Sequence, residues 1–195
     1  MSPTRRTALI LGGLGTVLFV SVVVFMAFAV QGRGLFAGAL RDGLPDYGPV
    51  PAFALTERSG ADLTLSDLSG HVWIADFIFT SCSGPCPRMT RTMADLQERL
   101  GPSSRIRLVS VSVDPERDSP DVLSRYADDY GADGQRWLFL TGGSSDVRDL
   151  VINGFHLGST EDIILHSTRF VLVDRKGHIR GYYESESPDL ARRIL

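Results

Sequence analysis

The chain reads as an α/β protein: a mixed central sheet covered by helices on both faces, preceded by one apolar N-terminal helix. Three observations predict this. Apolar runs of strand length (Val72–Phe79, Ile106–Val113, Trp137–Leu140) alternate with stretches of helical periodicity. The last two strand-like runs, Thr168–Val173 and His178–Tyr183, are joined by Asp174-Arg-Lys-Gly177, a hairpin turn that closes the sheet antiparallel. Thr7 to Gln31 carries no charged side chain, and about 20 such residues span a bilayer as a helix.

Arg5 and Arg6 precede that apolar run, so the positive-inside rule puts the N-terminus in the cytoplasm and the rest of the chain outside it. The expected organisation is a cytoplasmic N-terminus and transmembrane anchor over 1–31, a Gly- and Pro-rich linker over 32–50, and a globular domain over 51–195. A cleaved signal peptide is the alternative, with Ala27-Phe28-Ala29 as its site. The apolar run exceeds the usual length for that, which favours an uncleaved anchor. Either way the domain is outside the cytoplasm. The Arg pair is also a feature of twin-arginine export. No Arg- and Ser-rich amphipathic leader precedes the span, so the expected site is a bacterial inner membrane, single-pass, rather than a mitochondrial one.

The 195 residues include 20 basic and 23 acidic ones, for a net charge of −3. Residues 1–42 hold four Arg and one Asp, so the remainder is more acidic still. The absence of a basic excess argues against a nucleic-acid partner. There are two cysteines, too close together to form a disulfide scaffold.

In chain order, Phe53-Ala-Leu and Leu63-Thr-Leu65 around Ser59-Gly60 predict a short hairpin, and Ser66-Asp-Leu a helical turn. Val72–Phe79 is the first core strand. Met89, Met93, Leu96 and Leu100 recur at helical spacing, and Gly101-Pro102 stops that helix. Ile106–Val113 is then a strand parallel to the first, through the helical crossover. Ser119-Pro120-Asp121 starts a helix whose inward face is Val122, Leu123, Tyr126, Ala127 and Tyr130. After the strand Trp137–Leu140, Ser144 or Ser145 caps another helix that ends near Gly154. Ser187-Pro188-Asp189 caps a short last one, with Leu190 and Ile194 inward. A thioredoxin-like fold has this order.

The chemistry is concentrated in Phe77-Ile-Phe-Thr-Ser-Cys82-Ser-Gly-Pro-Cys86-Pro, on the turn from the first core strand to its helix. A helix N-terminus favours thiolate over thiol. Two sulfurs four residues apart share one face of a helical turn and can close a disulfide or clamp a soft ion such as Cu(I). Of the four histidines, His71, His156 and His178 read as solvated. His166 stands just before Thr168–Val173, a strand that in a thioredoxin-like sheet lies beside the one leading into the cysteines, so it starts close to them.

Four segments resemble the SCO/SenC family of copper-handling, thioredoxin-like proteins: Asp76-Phe-Ile-Phe-Thr-Ser-Cys82-Ser-Gly-Pro-Cys86-Pro, Ser110-Val-Ser-Val-Asp114-Pro-Glu-Arg-Asp118-Ser-Pro, Trp137-Leu-Phe-Leu-Thr-Gly142, and His166-Ser-Thr-Arg-Phe-Val-Leu-Val-Asp174. The resemblance implies one copper ion, Cu(I) and in a further state Cu(II), held by Cys82, Cys86 and His166. It also implies a role in building the dinuclear copper site of cytochrome c oxidase subunit II, with an upstream copper donor and a thiol reductant as further partners. Asp114 is either a turn residue before Pro115 or a group that supports the ligands from behind. The chain departs from the family in carrying Ser83 after the first cysteine, with Pro85 before the second. The segment before His166 is also short.

Other functions are weighed against that reading. A thiol:disulfide oxidoreductase needs two nearby thiols, but thioredoxin-type reductants use Cys-x-x-Cys and a Pro where this chain has His166-Ser-Thr168. A peroxiredoxin-type peroxidase needs an Arg beside its attacking cysteine, for which Arg88 is the one near candidate. A redox sensor is a third class. Zn(II) would want a fourth ligand; Met89 and Met93 offer thioethers, yet their spacing is that of a helix core.

Overall fold

A computed structural model of the protein describes residues 43–158, 168–187 and 190–194. The expected anchor within 1–31, most of the linker, His166, and the cap residues Pro188 and Asp189 lie outside the described residues. Among the described residues, no helix is long and apolar enough to cross a membrane.

The compact unit Pro45–Leu195 is built on a seven-stranded sheet. Its strands are β1 (Ala54–Glu57), β2 (Asp62–Thr64), β3 (Val72–Ile78), β4 (Ile106–Ser112), β5 (Trp137–Thr141), β6 (Arg169–Val173) and β7 (Ile179–Glu184). The order across the sheet is β2-β1-β5-β4-β3-β6-β7. β3, β4 and β5 run parallel, while β1, β2, β6 and β7 pair antiparallel at the two sides. The helices are α1 (Cys86–Leu100), α2 (Pro120–Asp129), α3 (Ser144–Asp149), which continues as a wider turn over Leu150–Gly154, and α4 (Leu190–Ile194).

Side-chain alternation divides the core in two. Trp73, Ala75 and Phe77 of β3 face one side with Val109, Val111, Val147, Val151 and Phe155. Ile74 and Ile78 face the other, where α1 packs Met89, Met93 and Leu96, α2 packs Leu123 and Ala127, and α4 packs Leu190 and Ile194. Successive strand residues point to opposite faces, so a strand covered on both sides must be apolar throughout. β3 meets that requirement at every position except Asp76.

The element order matches the expectation, with three differences in detail. α3 begins at Ser144 with Gly143 as N-cap and no side-chain cap bond. On α2, Leu123 and Ala127 are fully buried, while Val122, Tyr126 and Tyr130 are half-exposed. The folded unit also starts at Pro45, ahead of the boundary expected at residue 51. Tyr47 N donates to Ile179 O (2.9 Å), Ile179 N to Gly48 O (2.9 Å) and Val50 N to Gly177 O (2.8 Å), and Val50 is buried. His178 pairs with Asp46 at 3.0 Å. A segment with Gly and Pro reads as linker from composition, but its backbone groups pair with the open edge at Ile179, the first residue of β7.

Candidate metal centre

β3 carries the chain to Ile78, whose carbonyl still accepts from Val113 N at 2.8 Å. Beyond it the backbone turns: Cys82 N donates to Phe79 O at 3.2 Å, and Ser81, Ser83 and Gly84 are exposed. Pro85 (φ −72°) is the N-cap of α1, and Cys86 is its first residue. A proline there loses no helical hydrogen bond, because the first N–H groups of a helix have no partner within it. Arg88 N and Met89 N both donate to Pro85 O at 3.0 Å.

The two cysteines are free and differ in kind. Burial alone would push the Cys82 thiol up. Hydrogen bonds from the Cys86 thiol and from the backbone amides of Cys86 and Gly84 outweigh it, and Cys82 ends below its ordinary value. Gly84 N lies 3.4 Å from Cys82 Sγ. Cys86 is 4% exposed. Burial first, then the hydrogen bond it gives to Cys82 and the negative charges of Cys82 and Asp76, push its thiol well up. The expectation that the helix N-terminus favours thiolate at both positions therefore holds for Cys82 and fails for Cys86, where desolvation is the larger effect.

Asp76 and Asp118 are the acidic groups that reading the sequence for ligands passed over. Asp76, fully buried in β3, accepts from Ser110 Oγ at 2.6 Å. Ser110 Oγ itself accepts from Trp137 Nε1 at 2.9 Å. Asp76 Oδ2 has no partner among the described residues, and burial raises the group to about 7. Asp118 is also fully buried. It accepts from Thr80 N (3.0 Å), Thr80 Oγ1 (2.5 Å) and Ser112 Oγ (2.6 Å). Their signal was present in the sequence: a lone Asp inside an apolar strand, and a second Asp between Asp114 and a helix cap.

Asp114 is half-buried at the end of the β4 turn. Its carboxylate takes Arg117 at 2.8 Å, and its N–H donates to Ser112 Oγ at 3.1 Å. No described contact joins it to either cysteine. Met89 and Met93 are 1% and 0% exposed within the α1 face of the core, as their spacing predicts. Arg88 pairs with Glu186 at 2.8 Å, both exposed.

His166 lies outside the described residues. The strand after it runs antiparallel to β3, with Ala75 opposite Val171 and Trp73 opposite Val173. This register brings the start of β6 to the end of β3 where the cysteine turn begins. Ser185 N donates to Thr168 O at 2.9 Å, tying that start to the chain after β7. Among the described residues no group of three His, Cys, Asp or Glu could hold a metal ion; the described part supplies two sulfurs. Soft thiolates suit Cu(I) and not hard oxygen-seeking cations.

A thioredoxin-like α/β domain with a free thiol pair on the turn from β3 to α1 is the class that fold and site define. Residues 45–194 match the SCO1/SenC family, and the chain belongs to that family. It is 38% identical over 140 residues to the SCO1 protein homolog of Bacillus subtilis (strain 168), covering 69% of this chain and 72% of that one. Among solved structures it is similar to BsSco, a member of the Sco family of cytochrome c oxidase assembly proteins described as having a disulfide switch. That match has a TM-score of 0.67 and 33% identity, and covers 77% of this chain and 93% of the other. The fold is shared with Bradyrhizobium japonicum ScoI, solved with copper bound, at a TM-score of 0.63 and 22% identity, covering 76% and 100%. Arabidopsis thaliana ScoI, which shares the fold at a TM-score of 0.64 and 21% identity, covering 75% and 96%, was also solved with copper bound.

Proposed function

We propose that this protein is a membrane-anchored copper chaperone. It holds one copper ion through Cys82, Cys86 and His166 and helps assemble the dinuclear copper site of cytochrome c oxidase subunit II. The observation that carries this is the thiol pair itself: two free cysteines on one strand-to-helix turn, one of them already favouring thiolate, at the end of the sheet where β6 starts. Two thiolates and an imidazole make a soft, low-coordinate donor set that holds Cu(I) and, with a further ligand, Cu(II). The copper is cargo, taken from a donor protein and passed to the oxidase subunit. A thiol reductant keeps the pair open, because a disulfide offers no thiolate. Residues 1–31 supply the anchor, the chain from 32 leads out of it, and the domain from Pro45 onward works outside the cytoplasm of a bacterial cell.

The test is copper stoichiometry on the reduced full-length protein beside His166→Ala and Cys82→Ser. The reading expects one copper per chain in the parent, with both variants losing affinity by about 10-fold or more.

One observation favours a second reading. A partly exposed cysteine with a lowered thiol beside a buried one with a raised thiol suits dithiol exchange, in which the first attacks and the second resolves. Weak copper binding, no effect of His166→Ala, and retained reduction of a substrate disulfide would make the protein a thiol:disulfide oxidoreductase.

A further inference from the structure

The geometry points to Asp118 as the positioning residue of the thiol pair: through Thr80 it fixes the turn that aims Cys82 at Cys86. The copper part of this inference rests on the function proposed above; the thiol part does not. Cys86 needs no such help. It is the first residue of α1, whose Met89, Met93 and Leu96 are locked in the core. Cys82 lies outside the helix; it is only partly buried against the α1 face of the core, among exposed Ser81, Ser83 and Gly84. The β3 ladder ends at Ile78, and the N–H of Cys82 reaches back only to Phe79 O.

Within that turn Thr80 is gripped twice by one carboxylate, through its N–H at 3.0 Å and its hydroxyl at 2.5 Å. Asp118 is held in turn by rigid parts. Ser112, the last residue of β4, donates to it at 2.6 Å. Its own N–H donates to Asp114 O at 3.0 Å. The next residue, Ser119, caps α2 through Val122 N. A carboxylate with no solvent contact must be hydrogen-bonded to be tolerated, and all three of these bonds serve the cysteine turn and the strand beside it. An exposed turn fixed from below in this way keeps the two sulfurs in register without closing the site.

The experiment compares full-length Asp118→Asn, Thr80→Val and Thr80→Ser with the parent, using Val151→Ala in the opposite face of the core as a destabilised control. Two readouts are taken. One is Cu(I) affinity by competition with a chromogenic chelator. The other is the equilibrium with glutathione, in which the dithiol passes two electrons to glutathione disulfide. One protein disulfide and two glutathione thiols form, and the two cysteine protons end on the glutathione sulfurs. Asp118→Asn and Thr80→Val are expected to lower Cu(I) affinity by about 10-fold or more and to shift the glutathione equilibrium toward the dithiol, while Thr80→Ser and Val151→Ala stay near the parent. Parent-like values in both readouts for Thr80→Val, or an equal shift in Val151→Ala, would overturn the assignment. If Asp118→Asn does not fold, the Thr80→Val and Thr80→Ser pair decides. If the parent itself binds no copper, the chaperone reading fails and the glutathione equilibrium alone decides the role of Asp118.

Discussion

Asp76 is a carboxyl group with no water around it, one hydrogen bond, and a strand of apolar neighbours. Its cost is set by pH. In the unfolded chain it ionises near 3.8, and in the folded chain near 7. Between those values the folded state keeps a proton that the unfolded state has lost, so the contribution of Asp76 to stability is fullest below about pH 4 and falls as pH rises to about 7. The span corresponds to a loss on the order of 4 kcal/mol. Asp76→Asn keeps an acceptor for Ser110 and cannot ionise. Urea unfolding should find it more stable than the parent at pH 8, by roughly 1–4 kcal/mol, and similar at pH 4. A stability difference between parent and variant that is the same at both pH values would contradict the assignment. The cysteines show the same physics from the other side: both belong to one turn, yet burial separates a thiol that is easily ionised from one that is not.

At the scale of elements, α1 is where site and core are joined. Its first residue is Cys86, its inward face is Met89, Met93 and Leu96, and its end is closed from outside. Arg136 donates to Gly101 O at 2.8 Å, and Gln97 takes Asp133 N at 2.8 Å while giving to Gly131 O at 3.0 Å. Thr90 Oγ1 donates to Cys86 O at 2.9 Å and meets Tyr126 of α2 at 2.8 Å. The methionines therefore act as packing. Met93→Leu should cost less than about 1.5 kcal/mol and leave copper stoichiometry unchanged, whereas Met93→Ala should cost about 2–5 kcal/mol by chemical denaturation. A loss of copper in Met93→Leu at unchanged stability would make the thioether a ligand.

At the scale of the whole molecule, the three central parallel strands end together, and the cysteine turn, the Asp114–Asp118 turn and the start of α3 lie at that edge. A ligand that binds only the reduced folded state stabilises it by mass action. Copper at about 100 times its dissociation constant adds about 2.7 kcal/mol, which for a domain of this size raises the melting temperature by roughly 5–10 °C. That rise is expected in the reduced protein and absent after oxidation to the disulfide; an equal rise in both forms would place the copper elsewhere.

The sequence by itself determined the architecture. The alternation of short apolar runs with helical periodicity is a local property, and it located β3, α1, β4, α2 and the closing hairpin within a residue or two of their observed bounds. It also located the thiol pair, because Cys82 and Cys86 sit at a strand-to-helix junction whatever the rest of the chain does. Three things were decided only by the tertiary structure. Pro45–Val50 joins the folded unit because its backbone meets the edge of β7, a pairing between segments more than a hundred residues apart. The opposite shifts of Cys82 and Cys86 follow from the hydrogen bonds that the turn gives to Cys82 and from how deeply α1 buries Cys86, which helical position alone does not reveal. The role of Asp118 emerges only when β4 and α2 carry it beneath Thr80, because a hydrogen bond over 38 residues leaves no periodic trace in the sequence.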